Sequence, residues 1–436
     1  MRISHNVDKR STVVSRVPNR ASRVLIVGAS ARAAAYSTLR AGYAPIAIDL
    51  FGDRDLAAIA PSFRVPRRDY PGGIEPIAAA IDRDAWFYTG ALENRPELIE
   101  KLERQGVSWG NPASVVRAVR NPFLLHQVLI SHRLPSPRPF DSSSNPPAAI
   151  ATLAKPFASA AGRSIEFVGP GESSKIHEPF YYQEYIEGDS YGAIFAGRNG
   201  VSKLLGISRQ WIGVRDRRFV YRGSVAPWPI NRKTREILIE IGRAVVAEFG
   251  VVGIFGIDFI LRGDVPYPVE INPRYTASVE AIELATRRSL LILQEPGIDL
   301  DCCEYVDLYR NRNQSRRRHV GKGIVFAERS FTFDDRVLRA TDRTAVSRDE
   351  SNAATDFEAV ETAERDDRSF KIPKIADIPN AGERFDRGDP VLTVFAVSSD
   401  PESCRERLGR RVELWTARLS RLAPADSTEQ IGSSNE

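Results

Sequence analysis

The order of apolar and polar positions predicts alternating strands and helices in the first part of the chain. An apolar run over residues 23–27 leads into a turn of small residues, which is followed by a helix over 31–41 and a strand over 44–49. This β-α-β order is typical of half a dinucleotide-binding fold. Of the glycine fingerprint only Gly28 is in place, so the pattern argues against a dinucleotide site here.

Further along, the pattern predicts a strand over 84–90, a helix over 97–105 and a helix over 115–131 that Asn121-Pro122 interrupts. A stretch rich in Pro and Ser, residues 135–147, marks a natural boundary. Beyond it we expect antiparallel strands, a polar loop over 213–222 and an amphipathic helix over 234–249.

Two apolar strands around a turn at Gly263 predict a hairpin over residues 253–274. Glu270, Asn272 and Arg274 alternate along the second strand and therefore share one face, with Asp258 facing Glu270 from the first strand. Two carboxylates and an amide oxygen suit Mg²⁺ or Mn²⁺ held together with a nucleotide phosphate. A solvated, salt-bridged hairpin face is the alternative, which the cost of burying charges among apolar residues disfavours.

A short strand over 149–156 carries Lys155 near its end, and a loop of small residues with one glycine, Gly162, follows it. A lysine supplies a point charge, and the backbone N–H groups of such a loop can approach phosphate oxygens. This arrangement predicts a phosphate clamp. An exposed lysine at the end of a strand is the plainer interpretation.

Composition limits the classes of protein that remain. The chain has 436 residues, of which 42% are apolar and 27% charged, as in globular proteins of two to four domains. The net charge of +5 gives no reason to expect nucleic acid and is compatible with anionic small substrates. Three cysteines form no disulfide or zinc pattern, so we expect a cytoplasmic location. The N-terminal residues lack the apolar segment of a secretory signal.

Asp258, followed after 12 positions by Glu270-Ile271-Asn272-Pro273-Arg274, resembles the metal motif of the ATP-grasp superfamily. Overall the chain looks most like uncharacterised members related to biotin carboxylase. The resemblance covers residues 23–422 and implies an α/β protein. We expect a disordered leader (1–22), a Rossmann-like domain (23–114), a two-lobed α+β ATP-grasp domain (115–300), an α/β cap (301–422) with a mobile insertion (341–368), and a disordered tail (423–436).

The resemblance also assigns roles to residues. The metal ligands would be Asp258, Glu270 and Asn272, while Arg274 and Lys155 would act in catalysis. The ATP-binding residues would be Lys155, Ala160, Gly162, Gln183, Glu184, Ile186 and Asp189. Arg120 stands near the position where relatives carry a nucleotide-binding lysine, and Ser30 and Arg32 are substrate-contact candidates.

The implied reaction is ATP-dependent ligation of a carboxylate to an amine through an acylphosphate, with ATP and Mg²⁺ (or Mn²⁺) as cofactors. The partners would be a small carboxylate and a small amine. A homodimer is one option, and we expect the protein to bind neither nucleic acid nor a membrane. Some related proteins are associated with one-carbon carrier cofactors, which suggests cofactor biosynthesis. Three other interpretations stay open: a bicarbonate-activating carboligase, an ATP-binding protein without catalysis and an NAD-dependent oxidoreductase.

Overall fold

The computed structural model describes residues 22–143, 149–159, 161–214, 217–300, 318–339 and 370–422. In these ranges the strands are β1 (Arg23–Val27), β2 (Ala44–Asp49), β3 (Ser62–Arg64), β4 (Ala85–Tyr88), β5 (Pro139–Asp141), β6 (Thr152–Pro156), β7 (Glu166–Val168), β8 (Phe180–Glu184), β9 (Asp189–Arg198), β10 (Val201–Val214), β11 (Arg217–Ala226), β12 (Gly253–Arg262), β13 (Val265–Asn272), β14 (His319–Phe326), β15 (Phe331–Thr332), β16 (Ile375–Ala376), β17 (Arg384–Phe385) and β18 (Pro390–Ser398). The helices are α1 (Arg32–Arg40), α2 (Arg54–Ala57), α3 (Ile74–Ala80), α4 (Pro96–Glu103), α5 (Ala113–Val119), α6 (Pro122–Ser131), α7 (Arg232–Phe249), α8 (Ala277–Thr286), α9 (Arg336–Arg339) and α10 (Pro401–Leu419).

The first part of the chain forms a parallel sheet in the order β3-β2-β1-β4. Strands β1, β2 and β4 are nearly continuous apolar runs, as expected of strands covered on both faces, and β1 is buried from Val24 to Val27. The edge strand β3 is more exposed. The predicted β-α-β unit is confirmed. The strand order reverses between β1 and β4, so the loops that follow these two strands lie side by side at the carboxyl edge.

Two antiparallel sheets and a two-stranded antiparallel ribbon, β15-β17, contain the other strands of the described chain. A small sheet has the order β5-β8-β6-β7, and a large sheet has the order β13-β12-β9-β10-β11-β14-β18-β16. The C-terminal strands β14 and β18 extend the large sheet, since β14 pairs with β11. The part of the chain predicted as a cap therefore shares a sheet with the hairpin β12–β13.

Helix α7 packs on the large sheet and forms the centre of its core. The side chain of Asn231 accepts a hydrogen bond from Thr234 N, and Gly250 closes the helix in the left-handed conformation (φ 67°). Leu238 and Ile241 are fully buried in one core cluster with Phe195 of β9 and Phe255 of β12, whose rings stack with centroids 5.4 Å apart. This packing fixes the strand that carries Asp258.

The predicted polar loop over 213–222 is wrong, because β11 begins at Arg217 and pairs with β10. The arginines there are compatible with a strand since their side chains are held at its surface: Arg222 lies 4.0 Å above the ring of Trp211, and Arg217 donates to the carbonyl of Gly388 at 2.8 Å.

Several expectations fall outside the described residues, among them the leader over 1–21, the insertion over 341–368, the tail over 423–436 and the pair Cys302-Cys303. The domain boundaries stay predictions. Within the described ranges, no helix has the length and hydropathy of a membrane span.

Candidate active site

The hairpin β12–β13 brings its polar residues together as predicted. Asp258 lies directly opposite Glu270, and Gly256 lies opposite Asn272. A register shift after this pair leaves Val269 as an extra residue on β13. Asp258 accepts hydrogen bonds from the amide nitrogen of Asn272 at 2.8 Å and from Gln210 Nε2 at 2.6 Å. Neutral amides therefore surround this carboxylate.

Glu270 has a cationic neighbour instead. Arg120, at the end of α5, donates from Nη1 to Glu270 Oε1 at 2.7 Å and from Nη2 to Asn94 Oδ1 at 3.0 Å. The Arg120 side chain is 11% exposed and that of Glu270 is 37% exposed. A guanidinium thus lies beside the hairpin, and the role of Arg120 in contacting a nucleotide stays a prediction.

The two facing carboxyl groups differ in their electrostatics. Burial, and then the neighbouring charge of Glu270, raises the pKa of Asp258 to about 6. Burial would also raise the pKa of Glu270, but Arg120, Lys155 and Arg274 outweigh it and lower this pKa. An additional positive charge between the two groups would favour the ionised form of both.

Asp258, Glu270, Lys155 and Arg274 line a cavity of about 500 Å³ between the small and large sheets. The predicted site residues that line it are Lys155, Gly162, Gln183, Glu184, Ile186, Asp258, Glu270, Asn272 and Arg274. Ala160 lies outside the described residues. The cavity combines apolar walls with converging polar groups, as small-molecule sites do.

The side chain of Lys155 extends from β6 of the small sheet to the hairpin. Its ammonium donates to the extra carbonyl at Val269 at 2.9 Å and to Gln183 Oε1 at 3.2 Å, and it lies 5.9 Å from the ring centroid of Tyr181. The lysine is buried at 6% exposure. The plainer interpretation of an exposed lysine is therefore wrong, because the residue borders the cavity beside Glu270.

The loop after Lys155 docks on β11. Ala161 and Gly162 have left-handed backbones (φ 55° and 70°), and Tyr221 N donates to the Ala161 carbonyl at 3.1 Å. A Cβ atom at Gly162 would lie 2.0 Å from the carbonyl oxygen of Phe219. Only glycine fits this contact, which explains the single glycine in an otherwise alanine- and serine-rich loop.

The structure does not bring Asp189 to the cavity. Its carboxylate binds Arg209 at 2.9 Å and is 59% exposed, while the next residue, Ser190, lines the cavity and donates to Gln210 Oε1 at 2.7 Å. Successive strand residues point to opposite faces, so a shift of one position decides the side. The structure therefore places Asp189 away from the cavity and its neighbour Ser190 at the cavity wall. Contact of either residue with ATP stays a prediction.

Sequence reasoning missed Gln210 and Glu93. Glu93 lies in a short 3-10 turn, Leu92–Asn94, which follows β4, and its Oε1 accepts from Arg274 Nη2 at 2.6 Å. Arg274 also donates to Asn272 Oδ1 at 3.1 Å. The sequence did contain a signal for Glu93, because an acidic residue that follows a parallel strand lies at the carboxyl edge of the sheet, where ligands bind.

Neither N-terminal candidate for substrate contact lines this cavity. Arg32 is 1% exposed and binds Glu280 Oε2 at 2.9 Å and Asp377 Oδ1 at 2.9 Å. The carbonyl of Ser30 accepts a hydrogen bond from Thr89 at 2.9 Å. Of the arginines in the region predicted as a loop, Arg218 lines the cavity.

The donor atoms of the hairpin suit a divalent cation that other ligands help to hold. Among the described residues, no group of three or more His, Cys, Asp and Glu side chains is arranged to hold a metal ion alone. The hairpin offers two carboxylates and one amide oxygen, all hard donors, and the side chains that donate to Asp258 in the described ranges are the neutral amides of Gln210 and Asn272. These residues fit Mg²⁺ that completes its coordination with phosphate oxygens.

Comparisons with known proteins place this geometry in a family. Residues 119–278 match the ATP-grasp domain, and this segment is an ATP-grasp domain. An uncharacterised protein of Methanocaldococcus jannaschii is 32% identical over 120 residues, 28% of each chain. Tyramine–L-glutamate ligase of the same organism is 31% identical over 115 residues, 26% of this chain and 35% of that protein. The chain matches only about a third of the length of these relatives.

Solved structures extend the likeness over most of the chain. The L-amino acid ligase of Bacillus licheniformis superimposes with a TM-score of 0.62 at 13% identity, covering 91% of this chain and 98% of that one. The biotin carboxylase domain of Hydrogenobacter thermophilus 2-oxoglutarate carboxylase also gives 0.62, at 14% identity, covering 92% and 94%. The predicted ATP-grasp fold, which the biotin carboxylase domain shares, is confirmed.

Proposed function

We propose that this protein is an ATP-dependent ligase that joins a carboxylate to an amine through an acylphosphate, with release of ADP and phosphate. The observation that carries the proposal is the facing pair Asp258 and Glu270, set beside two cations at one cavity between two sheets. A triphosphate needs this combination of carboxylates for its metal and cations for its oxygens.

In this proposal the chain positions ATP and neutralises its charge. Asp258, Glu270 and Asn272 hold Mg²⁺, which supplies Lewis-acid stabilisation of phosphate oxygens when it is bound. Lys155 and Arg274 donate hydrogen bonds to the transferring phosphoryl group. Gln183, Glu184 and Ile186 line the part of the cavity where the adenine would lie. The docked loop at Gly162 covers the phosphates and excludes water.

Similar proteins support the direction of the chemistry. The names of two of them, tyramine–L-glutamate ligase and L-amino acid ligase, describe ligation to an amino acid. The biotin carboxylase domain was solved with MgADP and bicarbonate. A bicarbonate-activating carboligase is therefore the second candidate, and the same assay separates the two. We also propose a cytoplasmic location, and we keep a role in cofactor biosynthesis and a homodimer as proposals.

The test is a screen for ADP release with MgATP. The panel contains the common L-amino acids, pterin and furan acids and bicarbonate, each with and without hydroxylamine as the amine. We expect one carboxylate to give both ADP and a hydroxamate. ADP release that depends on bicarbonate alone would favour the carboligase. ADP release with no member of the panel would contradict catalysis and favour an ATP-binding protein.

A further inference from the structure

Three residues of the cavity wall each have a buried polar atom without a hydrogen-bond partner among the residues that the structure describes. These atoms are Oε2 of Glu93, Nε of Arg274 and Oγ1 of Thr276. Leaving such atoms unpaired costs free energy, and native proteins seldom do it without a reason. Glu93 and Arg274 are bonded to each other, and Thr276 follows Arg274 by two positions along the chain.

The turn that carries Glu93 is held firmly in place. Asn94 accepts from Arg120 at 3.0 Å and donates to the carbonyl of Ser159, in the loop after Lys155, at 3.1 Å. The turn follows β4 of the parallel sheet, and it is therefore hydrogen-bonded both to Arg120 beside the hairpin and to the loop after Lys155. Glu93 is 3% exposed, with one carboxylate oxygen on Arg274 and the other unpaired in this part of the chain.

Thr276 has an equally specific arrangement. It occupies the N-cap position of α8, where a threonine hydroxyl ordinarily accepts a hydrogen bond from a backbone N–H of the first turn. Its side chain makes no capping hydrogen bond, although the backbone has the extended conformation of an N-cap (φ −116°, ψ 162°). The buried hydroxyl of this cavity-lining residue is thus left without a hydrogen-bond partner among the described residues.

We propose that Glu93 and Thr276 bind the N–H groups of the acceptor amine, while Arg274 Nε donates to an oxygen of the carboxylate partner. The proposal rests on the ligase function above and specifies its second substrate as a primary amine. An ionised carboxylate oxygen accepts hydrogen bonds only, so Glu93 selects a donor and repels a second carboxylate or a phosphate. A primary amine has enough N–H groups to satisfy both Glu93 and Thr276.

The test compares Glu93→Gln and Thr276→Val with wild type in hydroxamate formation, with hydroxylamine as the probe amine and the carboxylate from the screen. Glutamine keeps one acceptor for Arg274 and presents an NH₂ group in place of the other oxygen. We expect the half-saturating hydroxylamine concentration to rise at least about tenfold in Glu93→Gln and about threefold in Thr276→Val. The KM for ATP should change by less than about twofold.

Glu97→Gln is the matched control, because it removes the same charge on the exposed face of α4. An unchanged hydroxylamine dependence in both variants would overturn the proposal, as would an equal rise in the KM for ATP. If circular dichroism shows that Glu93→Gln is unfolded, Thr276→Val decides alone. A wild-type protein that releases no ADP with any carboxylate contradicts the ligase function itself and removes this inference with it.

Discussion

Asp258 and Glu270 face each other across the hairpin β12–β13, yet their pKa values move in opposite directions. In the described part of the chain, Asp258 accepts side-chain hydrogen bonds from the neutral amides of Gln210 and Asn272, whereas Glu270 is bound by Arg120. The asymmetry leaves Asp258 without a hydrogen-bonded cation among these residues. A metal ion that arrives with a nucleotide would supply that charge, which makes the pair suited to binding MgATP rather than a free ion.

We predict that Arg120 supports MgATP binding by lowering the pKa of Glu270. Its removal in Arg120→Ala takes away the main cation that lowers the pKa of Glu270 and frees the turn at Asn94. We expect the affinity for MgATP, measured by calorimetry, to fall about tenfold. Arg117→Ala is the control, since Arg117 lies on the same helix but is exposed and binds Glu100. Equal affinities in the two variants would contradict a role for Arg120 in the site.

The docked loop gives a second prediction. In Gly162→Ala the new methyl group would meet the carbonyl oxygen of Phe219 at 2.0 Å, so the loop must leave β11. We expect the KM for ATP to rise about tenfold or more, with a loss in stability no larger than that of Gly171→Ala. Gly171 has a similar positive φ of 78° but open space around it. Gly171→Ala therefore introduces the backbone strain without a steric clash. A normal KM in Gly162→Ala would show that the loop does not cover the nucleotide.

Glu280 is predicted to stabilise the junction of the first sheet, α8 and β14. Its carboxylate binds Arg32 at 2.9 Å and Lys322 at 2.7 Å. Burial alone would raise the pKa of Glu280 from its ordinary 4.5, but the two cations hold it at about 2. The folded state therefore binds fewer protons than the unfolded state between these values, so this contribution to stability is present above pH 4.5 and lost as the pH falls toward 2.

The variant Glu280→Gln should lose about 3–5 kcal/mol of unfolding free energy at pH 7, because two buried cations lose their counterion. Urea unfolding at pH 7 and pH 4 measures this loss. The difference between variant and wild type should shrink at lower pH. Glu240→Gln, which removes an exposed partner of Arg243, should change stability by less than about 1 kcal/mol. A gap that stays constant with pH would contradict the assigned pKa.

The hairpin and its facing residues could be predicted from sequence because both depend on local rules. A short turn and the two-residue period of a strand fix which side chains share a face, and these rules identified Asp258, Glu270 and Asn272. The same rule explains why Asp189 lies away from the cavity, since a one-residue offset selects the other face. The local pattern also predicted a loop where β11 forms. The arginines of this strand contact an aromatic ring and a backbone carbonyl, and the carbonyl comes from a distant part of the chain.

The remaining contacts of the site could not be predicted because they join distant parts of the chain. Arg120 and Glu270 are separated by 150 positions, and Glu93 and Arg274 by 181. No periodicity relates such positions in a single sequence. They meet because the carboxyl edge of the parallel sheet packs against the end of the hairpin, and this packing is determined by the buried cores of both sheets.

The most direct test of the account is calorimetric titration of MgATP into wild type, Asp258→Asn and Glu270→Gln, with Asp264→Asn at the exposed hairpin turn as the control. We predict that wild type and the control bind MgATP with the same affinity. Each of the two cavity variants should bind at least about thirtyfold more weakly while keeping the wild-type circular dichroism spectrum. Full MgATP affinity in Asp258→Asn and Glu270→Gln would contradict the central claim that these two carboxylates hold the metal of the nucleotide.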